Sequence, residues 1–420
     1  MYLSYPLVFG FVALSSASSI PHAGRDVSHN GLDIQPFTID LTDRVPHMLD
    51  LVKKTQLPAT EEPAFPGDQA GISLATLKSL RHDWANSFSW EKEQAILNGY
   101  NHFTTTIENL TVHFLHHKSS QPNAIPLILN HGWPGSFLEF LPVIDQLTKK
   151  AKTSTGRPVA FDVVVPSLPG YAFSSAPPKN WTAAGTARIF HTLMTQGLGY
   201  ERYATSSTDL GSVVSYSLYE TYNTSVRAAH FTMIPFYPLT AEQVAAQNIT
   251  LSPAEQAQLD RWMEMVATGN AYYYVQTTKP NTIGLALQDN PVGQLAWIGE
   301  KFTAWSDPRA GTGPSVLTHH EMLRGVSLYY LTRSFLSSIY MYAQNPDGFR
   351  LDYARRAATD APMLFSGFAY NPTFWPRQFV ERVGNLVLYK SHEFGGHFPG
   401  LDNPPALVSD IREIGNVWVQ

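Results

Sequence analysis

Cysteine is absent from the 420 residues, which excludes disulfides, thiolate metal sites and a cysteine nucleophile together. Charge is scarce: Asp, Glu, Lys and Arg make up 15% of the chain, against about a quarter in ordinary soluble proteins. There is no basic run, and the formal net charge is −5. Nucleic acid is thereby excluded as a partner, because binding phosphates needs clustered Lys and Arg. No internal repeat or low-complexity stretch is evident. Beyond the N-terminus, no apolar run is long enough to cross a membrane. What is plentiful is apolar surface: 44% hydrophobic residues and 12% aromatics suit a large core with an apolar ligand cavity.

The opening MYLSYPLVFGFVALSSASS is apolar from Tyr5 to Leu14, and Ala17-Ser18-Ser19 offers a cleavage site. Although no Lys or Arg precedes the apolar run, this predicts a signal peptide over 1–19. Sequons at Asn109, Asn180, Asn223 and Asn248 fit the same route. The expectation is a glycosylated protein that is secreted or held in the endomembrane lumen, with no membrane span once the leader is gone.

From 20 to 123 the chain reads as an N-terminal lead segment. Ser73 is a credible N-cap for a helix carrying Leu74, Leu77, Leu80 and Trp84, and FTTTIENLTVHFLHHK suggests a strand pair. Short apolar runs then alternate with helical stretches: IPLILN, FDVVVPSLPG, RYAT and VRAAHFTMI, then APMLFSGF and LVLYK. That pattern predicts an α/β fold with a mostly parallel sheet buried between helices. The core spans 124–234 and 351–420, and the helical pattern over 235–350 reads as an inserted cap.

In such sheets ligands bind at the carboxyl ends of the strands. Three ends carry unusual residues. IPLILN runs into HGWPGSF, whose Gly and Pro set the path of a loop that presents a backbone N–H. RYAT runs into SSTDLGSVVS, the spacing of a nucleophile elbow with Asp209 where serine usually stands. A helix starting there favours a negative charge. An ordinary Asp N-cap gives the same pattern, but the small flanks Ser207 and Gly211 favour the elbow. LVLYK runs into SHEFGGHFPG, making His397 a general-base candidate. His392, Glu393 and His397 superficially suggest a zinc motif. Their five-residue spacing across Gly395 and Gly396 argues against the required helix, so no metal and no cofactor are expected.

The segments SFSWEKEQAILNGYNHF, HGWPGSFLEF, VPSLPGYAFS, TARIFHTLM, YYYVQTTKPNTIG, SFLSSIYMYAQN and GGHF together resemble the microsomal-type epoxide hydrolases of the α/β-hydrolase fold. The resemblance implies that Asp209 attacks an oxirane carbon to give an ester. Serine would give an ether that water does not cleave, whereas an ester permits turnover. It further implies His397 as the base that activates water, and the N–H groups of Trp133 and Leu210 as an oxyanion hole. Tyr272 and Tyr342 would donate to the oxirane oxygen, with Tyr273, Tyr274 and Tyr340 one register error away.

Two positions depart from the family pattern. Leu210 replaces a tryptophan beside the nucleophile, changing one pocket wall. The acid that orients the histidine falls on Asn371 or, in another alignment, Thr373; Glu393 and Glu381 are the candidates for a relocated acid. An asparagine is expected to risk holding the wrong imidazole tautomer and to leave the imidazolium unsupported. The leading expectation is an epoxide hydrolase acting on apolar small molecules, with a homodimer compatible. The alternatives are an epoxide-opening cyclase of natural-product biosynthesis and a non-catalytic binder of apolar ligands.

Overall fold

The computed structural model describes residues 31–61, 67, 70–346, 348 and 355–419; the signal-peptide stretch 1–19 lies outside them. The strands are β1 (Gln35–Pro36), β2 (His102–Ile107), β3 (Leu110–His117), β4 (Ile125–Asn130), β5 (Ala151–Lys152), β6 (Pro158–Val159), β7 (Phe161–Pro166), β8 (Tyr203–Ser207), β9 (Val226–Phe231), β10 (Pro362–Phe368) and β11 (Asn385–His392). Nine of them form one sheet in the order β1-β2-β3-β7-β4-β8-β9-β10-β11, and β5 and β6 form a separate ribbon. From β7 to β11 every neighbour is parallel, while β1, β2, β3 and β7 pair antiparallel.

The strands are continuous apolar runs because both faces of the parallel sheet are covered. Leu127, Ile128 and Leu129 in β4 and Val163, Val164 and Val165 in β7 are wholly buried. The β2–β3 hairpin turns on Glu108 and Asn109, both at positive φ, which Asn tolerates well. Ser73 caps its helix as its spacing predicts, accepting from the Thr76 N–H. Among the described residues, only helices lie between Phe231 and Pro362. None of the described helices is long and apolar enough to cross a membrane.

The parallel order brings the carboxyl ends of β4, β8, β10 and β11 to one rim. Those ends lead into His131, Asp209, Asn371 and His397.

Candidate active site

Asp209 follows β8 and opens the helix Asp209–Thr221, with φ at 45°. A side chain in this left-handed region costs free energy, which the surrounding packing must offset. Gly211 is obligatory because a Cβ there would overlap the Asn130 carbonyl on β4. Gly132 is equally constrained: its Cα lies against the Asp209 carboxylate and the Leu210 amide. The Trp133 N–H donates to Asp209 Oδ1 at 2.7 Å. His131 fixes this loop, since its Nε2 accepts from the Leu168 N–H at 3.1 Å and its Nδ1 donates to the Gly132 carbonyl. Burial lowers the His131 pKa to about 4, which keeps this neutral tautomer at ordinary pH.

The Gly132 contact gives a sharp expectation. A Gly132→Ala protein carries a methyl group where the carboxylate lies, so Asp209 must move. Displacement of about 1 Å at a reacting atom costs roughly 10² in rate. Steady-state turnover should drop by at least about that factor, and the unfolding midpoint should fall as well, because the methyl also meets the Leu210 backbone amide. A turnover within threefold of the parent contradicts this.

His397 Nε2 lies 3.3 Å from Asp209 Oδ2, in contact but without hydrogen-bond geometry, so its lone pair is free. Its Nδ1 meets Asn371 Oδ1 at 3.1 Å. The amide cannot turn over at will. Its amino group donates to the Thr232 carbonyl at 3.3 Å, and the Thr373 hydroxyl donates to the same Oδ1 at 3.2 Å. With the carbonyl end facing the imidazole, His397 must carry its proton on Nδ1 and leave Nε2 as the acceptor. The tautomer is therefore the one a general base needs, contrary to the risk attached to asparagine from the sequence.

Neither candidate for a relocated acid reaches the imidazole. Glu381 is exposed and pairs with Arg377 one helical turn away. Glu393 is exposed, and its carbonyl accepts from Arg309. The histidine loop is too short and too tightly held by Gly395 and Gly396 to turn that side chain inward. His392 points away from His397 chemistry as well, bonding Asp410 at 2.6 Å. Among the described residues no His, Asp and Glu cluster could hold a metal.

The lid supplies the tyrosines. Tyr272 stacks on Trp133 with ring centroids 5.4 Å apart, and Tyr342 meets both rings edge-on at 6.0 Å. Burial, reinforced by nearby charge at Asp209, raises both phenol pKa values well above normal, so they remain donors. The Tyr342 hydroxyl has no partner with hydrogen-bond geometry. The neighbouring tyrosines are committed elsewhere: Tyr273 donates to Pro346, Tyr340 to Asn281, and Tyr274 is exposed. A cavity of about 60 Å³ is lined by Asp209 and Tyr272 together with Met233, Phe236, Trp262, Met265 and Trp375.

The comparisons bear on this arrangement. Residues 34–140 match the family model described as epoxide hydrolase N terminus, and 125–376 match that of the alpha/beta hydrolase fold. A putative epoxide hydrolase of Stigmatella aurantiaca is 34% identical over 82% of this chain and 76% of its own. The chain belongs to the epoxide hydrolase family. Epoxide hydrolase 1 of Oryctolagus cuniculus is 30% identical over 96% of this chain and 95% of its own. The solved structure of the Aspergillus niger epoxide hydrolase aligns with a TM-score of 0.79 at 32% identity, covering 93% of this chain and 98% of that one.

Within this epoxide hydrolase, several groups beside the site escape a reading of motifs. Trp305 accepts from the His397 N–H at 2.7 Å and packs its ring on both His397 and Tyr272. Asp307 accepts from the Gly395 N–H at 2.9 Å while paired with Arg309. Thr232 and Thr373 orient Asn371 through bonds that sequence spacing does not announce. Glu139 is a buried carboxyl beside the loop; its only sequence signal is a charge inside the apolar run FLEFLPVI.

Proposed function

We propose that the chain opens an apolar epoxide by attack of Asp209 Oδ2 and returns a diol by hydrolysis of the resulting ester, with no cofactor. The observation that carries this reading is the carboxylate at the elbow, bonded by the Trp133 N–H on one oxygen and facing His397 Nε2 with the other. Tyr272 and Tyr342 donate to the oxirane oxygen, making it a better leaving group. The Trp133 N–H, with that of Leu210 beside Gly132, then stabilises the oxyanion formed when water attacks the ester. His397 takes the proton of that water. Asn371 keeps the imidazole oriented, but a neutral amide gives the imidazolium no charge partner, so ester hydrolysis is the slow half of the cycle.

The test is turnover of styrene oxide in heavy-oxygen water, followed by mass analysis of the Asp209 peptide. Ester hydrolysis at the acyl carbon leaves the heavy isotope in the Asp209 carboxylate. Diol formed with an unlabelled Asp209 rejects the ester route. The absence of a carboxylate at Asn371 favours one second reading, an epoxide-opening cyclase of natural-product biosynthesis; it yields neither diol nor labelled Asp209.

The leader sequence and the sequons support export and glycosylation. Asn109, Asn180 and Asn248 are exposed, while Asn223 donates its amide nitrogen to the Ala358 carbonyl at 2.7 Å. We therefore assign the first three as acceptors and not Asn223.

A further inference from the structure

A second carboxyl shares the catalytic loop with Asp209. Glu139 is 3% exposed and lies in the short helix Phe137–Phe140 that follows HGWPGS. Its side chain curls back so that the carboxyl occupies the place where a Cβ on Gly135 would stand, beside the backbone of Gly132. Gly132 in turn packs directly on the Asp209 carboxylate. One residue of backbone therefore separates two buried carboxyls. Glu139 has no ion-pair partner among the described residues, and its Oε2 has no hydrogen-bond partner. Burial, reinforced by the neighbouring Asp209, raises the Glu139 pKa well above the usual carboxylate range, although the Gly132 N–H opposes this by donating to it.

The unpartnered atoms continue towards the lid. The Tyr171 hydroxyl is buried without a partner, and that of Tyr342 interacts only with the Tyr272 hydroxyl, short of good hydrogen-bond geometry. The Tyr171 ring packs edge-on to Tyr329 at 6.2 Å, and Tyr329 donates to the carbonyl of Gly135, the residue against which the Glu139 carboxyl lies. Tyr171 lies within electrostatic reach of both Tyr272 and Tyr342. Buried polar groups with unused hydrogen-bonding capacity thus lie on both sides of Asp209, at Glu139 and at Tyr171.

We propose that Glu139 takes over the negative charge that Asp209 gives up when the ester forms. The proposal rests on the ester mechanism above. In the resting site Asp209 is ionised and Glu139 carries a proton. Attack forms the bond from Asp209 Oδ2 to carbon and breaks the carbon–oxygen bond of the oxirane, whose oxygen keeps the electron pair. That oxygen takes a proton from a lid tyrosine, the tyrosine is reprotonated through Tyr171, and Glu139 ends as the carboxylate. In the second half, His397 removes a proton from water and hydroxide attacks the ester carbonyl. Collapse releases the product alkoxide, which takes the proton held by His397, and leaves Asp209 as an acid that passes its proton to Glu139. The net buried charge is the same in the resting site, in the ester and in the product state; the imidazolium and oxyanion of the second half arise and vanish as a pair. One buried carboxylate is thus exchanged for another, with no lasting alkoxide or tyrosinate left in the dry site.

The experiment counts protons during ester formation in a His397→Gln protein, where hydrolysis is blocked. Styrene oxide is mixed with the protein in weak buffer at neutral pH with an indicator dye, and intact mass gives the ester yield in the same samples. Internal transfer from Glu139 predicts no proton taken from solvent, no lasting tyrosinate absorbance, and loss of one carboxylic-acid band in the infrared difference spectrum. Adding Glu139→Gln, which cannot ionise, should raise uptake to about one proton per ester formed and slow ester formation. Uptake of one proton in the His397→Gln protein alone, or a persistent tyrosinate, overturns the proposal without any Glu139 variant. If no ester forms on Asp209, the failure lies with the ester mechanism instead.

Discussion

A His397→Gln protein mixed with styrene oxide gains one epoxide mass on most of its molecules and forms diol only at background. The expectation follows from a division of labour in the site. Ester formation needs Asp209 and the donors Tyr272 and Tyr342, and none of these depends on the imidazole for its position: Asp209 is held by Trp133 and by the elbow, and the tyrosines by Trp133 and each other. Ester hydrolysis needs a base with a free lone pair at Oδ2, and His397 Nε2 is the group there. Loss of a general base costs about 10² to 10⁴ in rate. Rapid quench with intact-mass detection reads both halves. The parent should also carry a visible fraction of ester in the steady state, because its own second step lacks a carboxylate behind the histidine. A His397→Gln protein that makes diol at the parent rate would remove His397 from the mechanism.

The second large effect concerns acid. Buried histidines stay neutral in the folded protein: burial lowers His131 and His230 to about 4 and His116 to about 3, and lowers His113 and His102 as well. All but His116 have both ring nitrogens in hydrogen bonds; His230, for example, bridges Ser206 on the nucleophile strand to Ser366 on β10. The unfolded chain takes up these protons near 6.5, so it binds more protons than the native state below that value. Stability is therefore complete above pH 6.5 and falls as the pH drops towards the native values. Each such group costs about 1.4 kcal/mol per pH unit across that window.

Asp402, raised by burial to about 6, and Glu139 act in the opposite sense. The five histidines outnumber them. Urea midpoints should fall steeply from pH 6.5 to 4.5, and His230→Asn should reduce the proton uptake on unfolding by about one. Midpoints that are flat across this range would contradict the account.

Much of this was legible because it is periodic or punctuated. The parallel strands announce themselves as apolar runs, since both faces are covered, and the elbow is marked by small residues around Asp209. Tyr272 and Tyr342 were legible only through family resemblance; 20 tyrosines share one chemistry, and packing on Trp133 is what separates these two. The amide of Asn371 could not be read at all. Whether it holds one tautomer or the other depends on Thr232 and Thr373, one of which lies 139 residues away and acts through its backbone. Glu139 was in plain view inside a quoted motif, yet its meaning comes from Gly135, whose missing side chain leaves it room, and from Gly132, which packs on Asp209. For the same reason Glu393 attracted attention wrongly: nearness in sequence to His397 did not survive the turn at Gly395.

The tie between Trp305 and His397 reaches beyond catalysis. A cap inserted between two halves of a core invites the view that it is an exchangeable part, free to be replaced when a lineage acquires a new substrate. Here the residue ending the cap helix Pro291–Ala304 holds the backbone of the base, and Asp307 just beyond it holds Gly395. A foreign cap keeps the first bond only if its chain follows the same path past residue 305, and the second only if a carboxylate stands at 307. Diversification of such enzymes is therefore constrained to drift residue by residue within the cap, or to exchange cap and histidine loop as one inherited block.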